Sequence, residues 1–120
     1  MKHPLARLTL CLLPLGAAAD ALANDFPTVD RVLYVHECMD AHPGPHFEMV
    51  NKCACALDAL ASKLSFDDYV EMSTAAKATS ISGERGGYIR DSEGLQDQIK
   101  RYRGIKAEAE KGCFLSPATR

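Results

Sequence analysis

The chain carries apolar residues at intervals of three and four in several segments, the pattern of helices with one buried face. In the first segment these residues are Val29, Val32, Val35 and Met39. They predict a helix that begins after Pro27 and turns this face toward a core. The helix must end near His42, because the Pro-Gly-Pro sequence at residues 43–45 cannot continue it.

The second segment shows the clearest amphipathic pattern in the chain. Its apolar face comprises Val50, Cys53, Ala54, Leu57, Leu60, Ala61 and Leu64. Together with the first segment it predicts an antiparallel helical hairpin around the proline-containing corner. Ser65 then opens a third helix, with Asp68 three residues later as in a capping box, and this helix fades near Ser80.

Residues 81–91 are predicted to form a loop, because Gly83, Gly86 and Gly87 interrupt them. A last helix is expected to begin at Asp91 or Ser92. Its apolar face comprises Leu95, Ile99, Tyr102, Ile105, Ala109 and Cys113. Since no segment alternates apolar and polar residues with a period of two, we predict an all-α bundle of about four helices.

The first 23 residues have the organisation of a secretory signal peptide. Lys2 and Arg7 precede a short apolar run at residues 8–15, and the Ala-Leu-Ala sequence at 21–23 fits a cleavage site. The run is shorter than the roughly 20 residues that cross a bilayer. We therefore predict an exported, periplasmic or secreted protein without a membrane span, in which residues 24–120 form a single helical domain.

The charge of the predicted mature chain argues against two classes of partner. Of the 14 basic and 16 acidic residues, the signal peptide removes Lys2, Arg7 and Asp20, which leaves 12 and 15. A slightly acidic chain without a basic cluster is not typical of proteins that bind nucleic acid or anionic membranes.

Export changes the interpretation of the cysteines. Four remain after cleavage, Cys38, Cys53, Cys55 and Cys113, and an even number in an oxidising compartment predicts two disulfides. Cys53 and Cys55 lie about 200° apart on a helix, so they should not bond to each other. Because Cys53 and Cys113 both lie on apolar faces, we favour the pairs Cys53–Cys113 and Cys38–Cys55. The pairs Cys38–Cys53 and Cys55–Cys113 are the alternative.

Soft-metal ligands are concentrated around the proline-containing corner. They are His36, Met39, His42, His46 and Met49. Imidazole and thioether groups suit copper, so a periplasmic copper-binding protein or copper chaperone is one functional hypothesis. The competing interpretation is that Met39 packs in the core while His42 and His46 lie at a solvated corner, and that the protein holds no cofactor.

The Cys53-Ala54-Cys55 sequence raises a second hypothesis, a thiol–disulfide redox protein. Redox enzymes with paired cysteines use C-x-x-C at the start of a helix, whereas this C-x-C lies within one, so a structural role is favoured. Since the sequence has no G-x-S-x-G motif or assignable Ser/His/Asp set, we predict a protein without enzymatic activity. The glycine-rich segment instead suggests a protein-binding surface formed by Glu84, Arg85, Tyr88 and Arg90.

A resemblance to one group of proteins lies in two segments, NKCACALDALASKLSFDDYVEM (residues 51–72) and GERGGYIRD (residues 83–91). They are similar to small exported cysteine-containing helical proteins that accompany bacterial quinoprotein alcohol dehydrogenases and their c-type cytochromes. The resemblance implies an accessory protein of a periplasmic oxidoreductase system, with such a dehydrogenase or cytochrome as its partner. The chain has no C-x-x-C-H sequence for covalent haem attachment.

Overall fold

The computed structural model describes residues 24–116, and the predicted signal peptide lies outside them. Five helices follow one another: α1 (Thr28–Ala41), α2 (His46–Ala61), α3 (Phe66–Ala78), α4 (Glu84–Asp91) and α5 (Glu93–Gly112). No strand is found between residues 24 and 116, which confirms the predicted all-α class. None of these helices is long and apolar enough to cross a membrane.

The helix ends follow local sequence signals. Pro27 and Pro45 stand directly before α1 and α2, and their fixed φ angles and missing N–H groups suit the start of a helix. The Ser65 side chain accepts a hydrogen bond of 3.2 Å from the Asp68 backbone N–H, which confirms the predicted cap of α3. Ser92 precedes α5, close to the predicted start.

The predicted loop at residues 81–91 is wrong over most of its length, because Glu84–Asp91 forms α4. Two of the glycines have specific structural roles: Gly83 allows the backbone conformation before the helix, and Gly86 allows close packing against the preceding turn. Gly83 adopts a left-handed φ of 84° immediately before the helix. Gly86 lies against the preceding turn so closely that a Cβ there would be 1.8 Å from the carbonyl oxygen of Ile81.

The core forms where α2 packs between α1 and α5, and α3 packs against α5. Its fully buried side chains are Cys53, Leu57, Leu60 and Ile99. A group of aromatic rings closes one side: Tyr69 stacks with Phe26, Tyr34 and Tyr102 at centroid distances of 5.0, 6.3 and 6.2 Å. The predicted apolar faces of α2 and α5 are all buried or half-buried, as expected.

The predicted buried face of α1 is only half correct, because Val35 and Met39 pack half-buried against the core but the two earlier valines do not. Val29 and Val32 are 67% and 50% exposed, and the side chains that α1 buries are Tyr34 and Cys38. The spacing of the valines is correct for a helix, but a large aromatic ring and a disulfide occupy the core more effectively than the valines would. The helix is therefore rotated, and Val29 and Val32 lie at the surface.

The disulfides are Cys38–Cys53 and Cys55–Cys113, each with a Cα–Cα distance of 5.8 Å. The favoured pairing was wrong and the alternative is observed. The reason is the rotation of α1, which places Cys38 in the core, 4% exposed, opposite the fully buried Cys53. Cys55 lies on another face of α2 and meets Cys113 at the end of α5, so the expectation that Cys53 and Cys55 do not bond to each other is confirmed.

Candidate functional site

The structure divides the five candidate copper ligands between two places. His36, Met39 and His46 line a groove of about 370 Å³ between α1 and α2. Both histidines are exposed and Met39 is half-buried. The remaining wall of the groove is largely apolar, with Val32, Val35, Val50, Ala54 and Leu57.

His42 and Met49 lie elsewhere, beside a separate cavity of about 350 Å³ under the corner. His42 is 7% exposed, contrary to the expectation of a solvated position, and its Nε2 atom lies 3.5 Å from Oε1 of Glu110. Met49 is buried against the corner, since a Cβ at Gly44 would be 2.9 Å from its sulfur. These two residues are therefore packing groups of the corner and do not join the groove.

The His, Cys, Asp and Glu side chains of the described residues do not form a metal site by themselves. Among residues 24–116, no group of three or more His, Cys, Asp or Glu side chains has the geometry to hold a metal ion. The groove has only two side chains of these types, the imidazoles, and its third candidate ligand is a thioether. This combination of ligand types suits a soft metal ion.

All four described cysteines are in disulfides, and the two bonds differ in accessibility. Cys38 and Cys53 are buried, whereas Cys55 is exposed and only its partner Cys113 is buried. The Cys53-Ala54-Cys55 sequence thus contributes one sulfur to each of two bonds that hold α2 to its neighbours.

The predicted interaction residues lie on α4. Glu84 and Arg85 are exposed in its first turn, and Tyr88 is 71% exposed. Arg90 is also at the surface, but its guanidinium donates hydrogen bonds of 3.2 and 3.0 Å to the carbonyl oxygens of Thr79 and Ile81. Arg90 therefore holds α4 against the end of α3, while the other three side chains are free to meet a partner.

Phe114 was not predicted as a functional residue. It follows α5 in a left-handed conformation with φ of 60°, and no other non-glycine residue between 24 and 116 has a positive φ. Its N–H bonds to Lys111 O at 3.2 Å and that of Leu115 bonds to Glu110 O at 2.9 Å, which is the Schellman arrangement at a helix end.

Phe114 and Leu115, which follow α5, have side chains that point in different directions. Leu115 is 6% exposed and packs in the core, whereas the ring of Phe114 is 82% exposed. The sequence gives no signal for this, since a phenylalanine beside a cysteine reads as a core residue. Phe47 in the first turn of α2 is 83% exposed, and its neighbour Glu48 lines the same corner cavity as Phe114. Two exposed phenyl rings therefore lie at the corner end of the molecule.

Buried hydroxyl groups are the main electrostatic feature of the core. Burial raises the pKa of Tyr34 and Tyr102 well above the ordinary value, and the nearby Glu110 carboxylate adds to the increase in both. The Tyr34 hydroxyl has no hydrogen-bond partner among the described residues. Both hydroxyls therefore stay neutral at physiological pH.

The chain matches no protein-family model, and no curated protein or solved structure shows significant similarity to it.

Proposed function

We propose that the protein is an exported, non-enzymatic interaction protein that serves a periplasmic oxidoreductase system, with a quinoprotein dehydrogenase or a c-type cytochrome as its partner. Its two disulfides support this location, because such bonds persist in oxidising compartments. The partner class comes from the resemblance of residues 51–72 and 83–91.

The observation that carries the interaction role is Phe114. A non-glycine residue in the left-handed region costs about 1–2 kcal/mol relative to an ordinary helical one, and glycine is the usual residue at this position of a helix end. The phenyl ring is exposed, so core packing does not offset this cost. Strained positions of this kind are concentrated where a side chain serves binding.

Phe47, in the first turn of α2, is a second exposed aromatic side chain near the corner. Aromatic side chains are enriched in the centres of protein interfaces, because they bury a large area while few rotatable bonds become fixed. Phe47 and Phe114 are each more than four-fifths exposed, at 83% and 82%.

The α4 surface with Glu84, Arg85 and Tyr88 is the second candidate contact. It lies beside the N-terminal end of α5, whereas Phe114 follows its C-terminal end. Since α5 has 20 residues, the two surfaces are separated by about 30 Å along the helix. One small interface cannot include both, so an experiment can distinguish them.

A photo-crosslinking phenylalanine analogue tests the proposal when it replaces Phe114, Tyr88 or, as a control, the exposed Lys100 in the protein expressed in its own bacterium. We expect position 114 to crosslink to a quinoprotein dehydrogenase or a c-type cytochrome, and position 100 to give no such product. Crosslinks from position 88 alone would move the contact to α4. Equal crosslinking from all three positions, or none to either class, would refute the proposal.

A further inference from the structure

We propose that His36, Met39 and His46 form a Cu(I) site on the groove between α1 and α2. The inference is independent of the partner-binding role, because it uses other residues and another surface. Two imidazole nitrogens from the two helices and one thioether sulfur would coordinate the ion.

The hairpin brings the three side chains to the same end of the groove. His36 and Met39 are three residues apart on α1, a spacing that places their Cβ atoms about 5–6 Å apart on one helix face. His46 is the first residue of α2, and the corner between the helices spans only residues 42–45. Because α2 runs antiparallel to α1 from this corner, His46 begins α2 at the end of the groove where α1 ends, and all three side chains line the groove.

The ligand types select the metal. Thioether sulfur binds soft ions such as Cu(I), and imidazole binds copper readily, whereas Mg²⁺ and Ca²⁺ require oxygen ligands. Val35 and Val50 line the groove beside the ligands and provide an apolar wall. Such surroundings favour an ion of low charge over a divalent cation, because less hydration energy is lost on binding.

The exposure of the ligands indicates an exchangeable site. His36 and His46 are exposed and Met39 is half-buried, so an ion bound there would remain accessible to another protein. The disulfides leave no described thiolate to compete for copper. Arg31 also lines the groove. Its guanidinium forms an ion pair with the Asp58 carboxylate at 2.9 Å. The site therefore has the character of a carrier rather than of a permanent cofactor site.

Titration of the exported, oxidised protein with Cu(I) and a competing chromophoric chelator tests the site, with ascorbate keeping the copper reduced and mass spectrometry confirming both disulfides. We expect one Cu(I) per chain. His36→Gln, Met39→Leu and His46→Gln should each weaken binding more than about tenfold, since even a residue that only orients a ligand contributes that much. Met49→Leu is the matched control: it removes a buried thioether outside the groove with little change in volume, and should leave affinity within about threefold.

Because Cu(I) is diamagnetic, NMR of the unmodified protein provides a readout that does not depend on how the variants fold. Addition of Cu(I) should shift the imidazole signals of His36 and His46 and the methyl signal of Met39, but not those of His42 and Met49. The proposal is wrong if Cu(I) does not bind, if only Cu(II) binds, if Met49→Leu weakens binding as much as Met39→Leu, or if the shifted signals belong to His42 and Met49.

Discussion

Tyr34 shows how a single residue determines the orientation of a whole helix. It is 4% exposed and its ring lies 6.3 Å from that of Tyr69, whereas Val29 and Val32 of the same helix lie at the surface. Helical spacing identified α1 but assigned its buried face to the valines. The spacing of apolar residues along a helix contains no information on how much area each side chain buries. An aromatic side chain typically buries about 150–250 Å².

The buried tyrosines predict loss of stability at alkaline pH. Because the folded pKa of Tyr34 is raised above the unfolded value of about 10, its contribution to stability is present below pH 10 and is lost as the pH rises further. Tyr34→Phe should reduce the slope of unfolding free energy against pH above 10 by up to about 1.4 kcal/mol per pH unit. At pH 7 it should change stability by no more than about 1 kcal/mol, because the hydroxyl has no partner among the described residues.

Denaturant unfolding of the wild-type and Tyr34→Phe proteins between pH 7 and 11.5 measures both effects. Identical alkaline slopes would show that Tyr34 ionises as readily in the folded protein as in the unfolded chain.

At the scale of elements, strong periodicity and proline boundaries identified α1, α2 and the last helix, and Ser65 identified α3. The segment that became α4 has three glycines near its start and little apolar content, so its sequence reads as a loop. Its helical form depends on tertiary contacts: Gly86 lies against Ile81 O, and Arg90 bonds to that same oxygen. Such contacts cannot be inferred from local sequence.

The two neighbouring glycines of α4 therefore predict opposite mutational effects. Gly86→Ala would place a Cβ 1.8 Å from a backbone oxygen, so we expect destabilisation by about 1–3 kcal/mol. Gly87→Ala meets nothing within 4 Å and should stabilise the helix by about 0.5–1 kcal/mol. Chemical unfolding of both variants measures the difference. Shifts of the same sign and size would mean that α4 does not pack on Ile81 as described.

For the whole molecule, the number of disulfides followed from the predicted export and an even cysteine count, but their pairing did not. Helical phase excluded a Cys53–Cys55 bond and left two pairings open. The choice between them depended on whether Cys38 or Cys55 faces the core, and hence on the rotation of α1. The copper ligands were affected similarly: the sequence placed five of them near one corner, and the fold divides them into a groove set and a buried pair.

The two disulfides should be reduced in a fixed order. Cys55 is exposed, whereas Cys38 and Cys53 are 4% and 0% exposed, so a thiol reductant can attack Cys55–Cys113 without unfolding the core. We expect limited reduction of the folded protein, followed by alkylation and peptide mapping, to label Cys55 and Cys113 before the other pair. The two bonds link residues that are 15 and 58 positions apart in the sequence. In the chain-entropy description, bonds of these spans stabilise the folded state by about 3 and 4 kcal/mol. The first reduction should therefore already lower stability substantially. Earlier labelling of Cys38 and Cys53 would contradict this assignment of accessibility.

The proposed interaction role depends most directly on Phe114, whose ring lies exposed. The decisive measurement is a pair of values for Phe114→Gly: its unfolding free energy and its affinity for the crosslinked dehydrogenase or cytochrome. We predict that stability rises by about 1 kcal/mol, because glycine relieves the left-handed backbone, while affinity falls at least about tenfold, as for an aromatic interface residue. A fall in stability together with unchanged affinity would show that Phe114 serves the fold and not a partner.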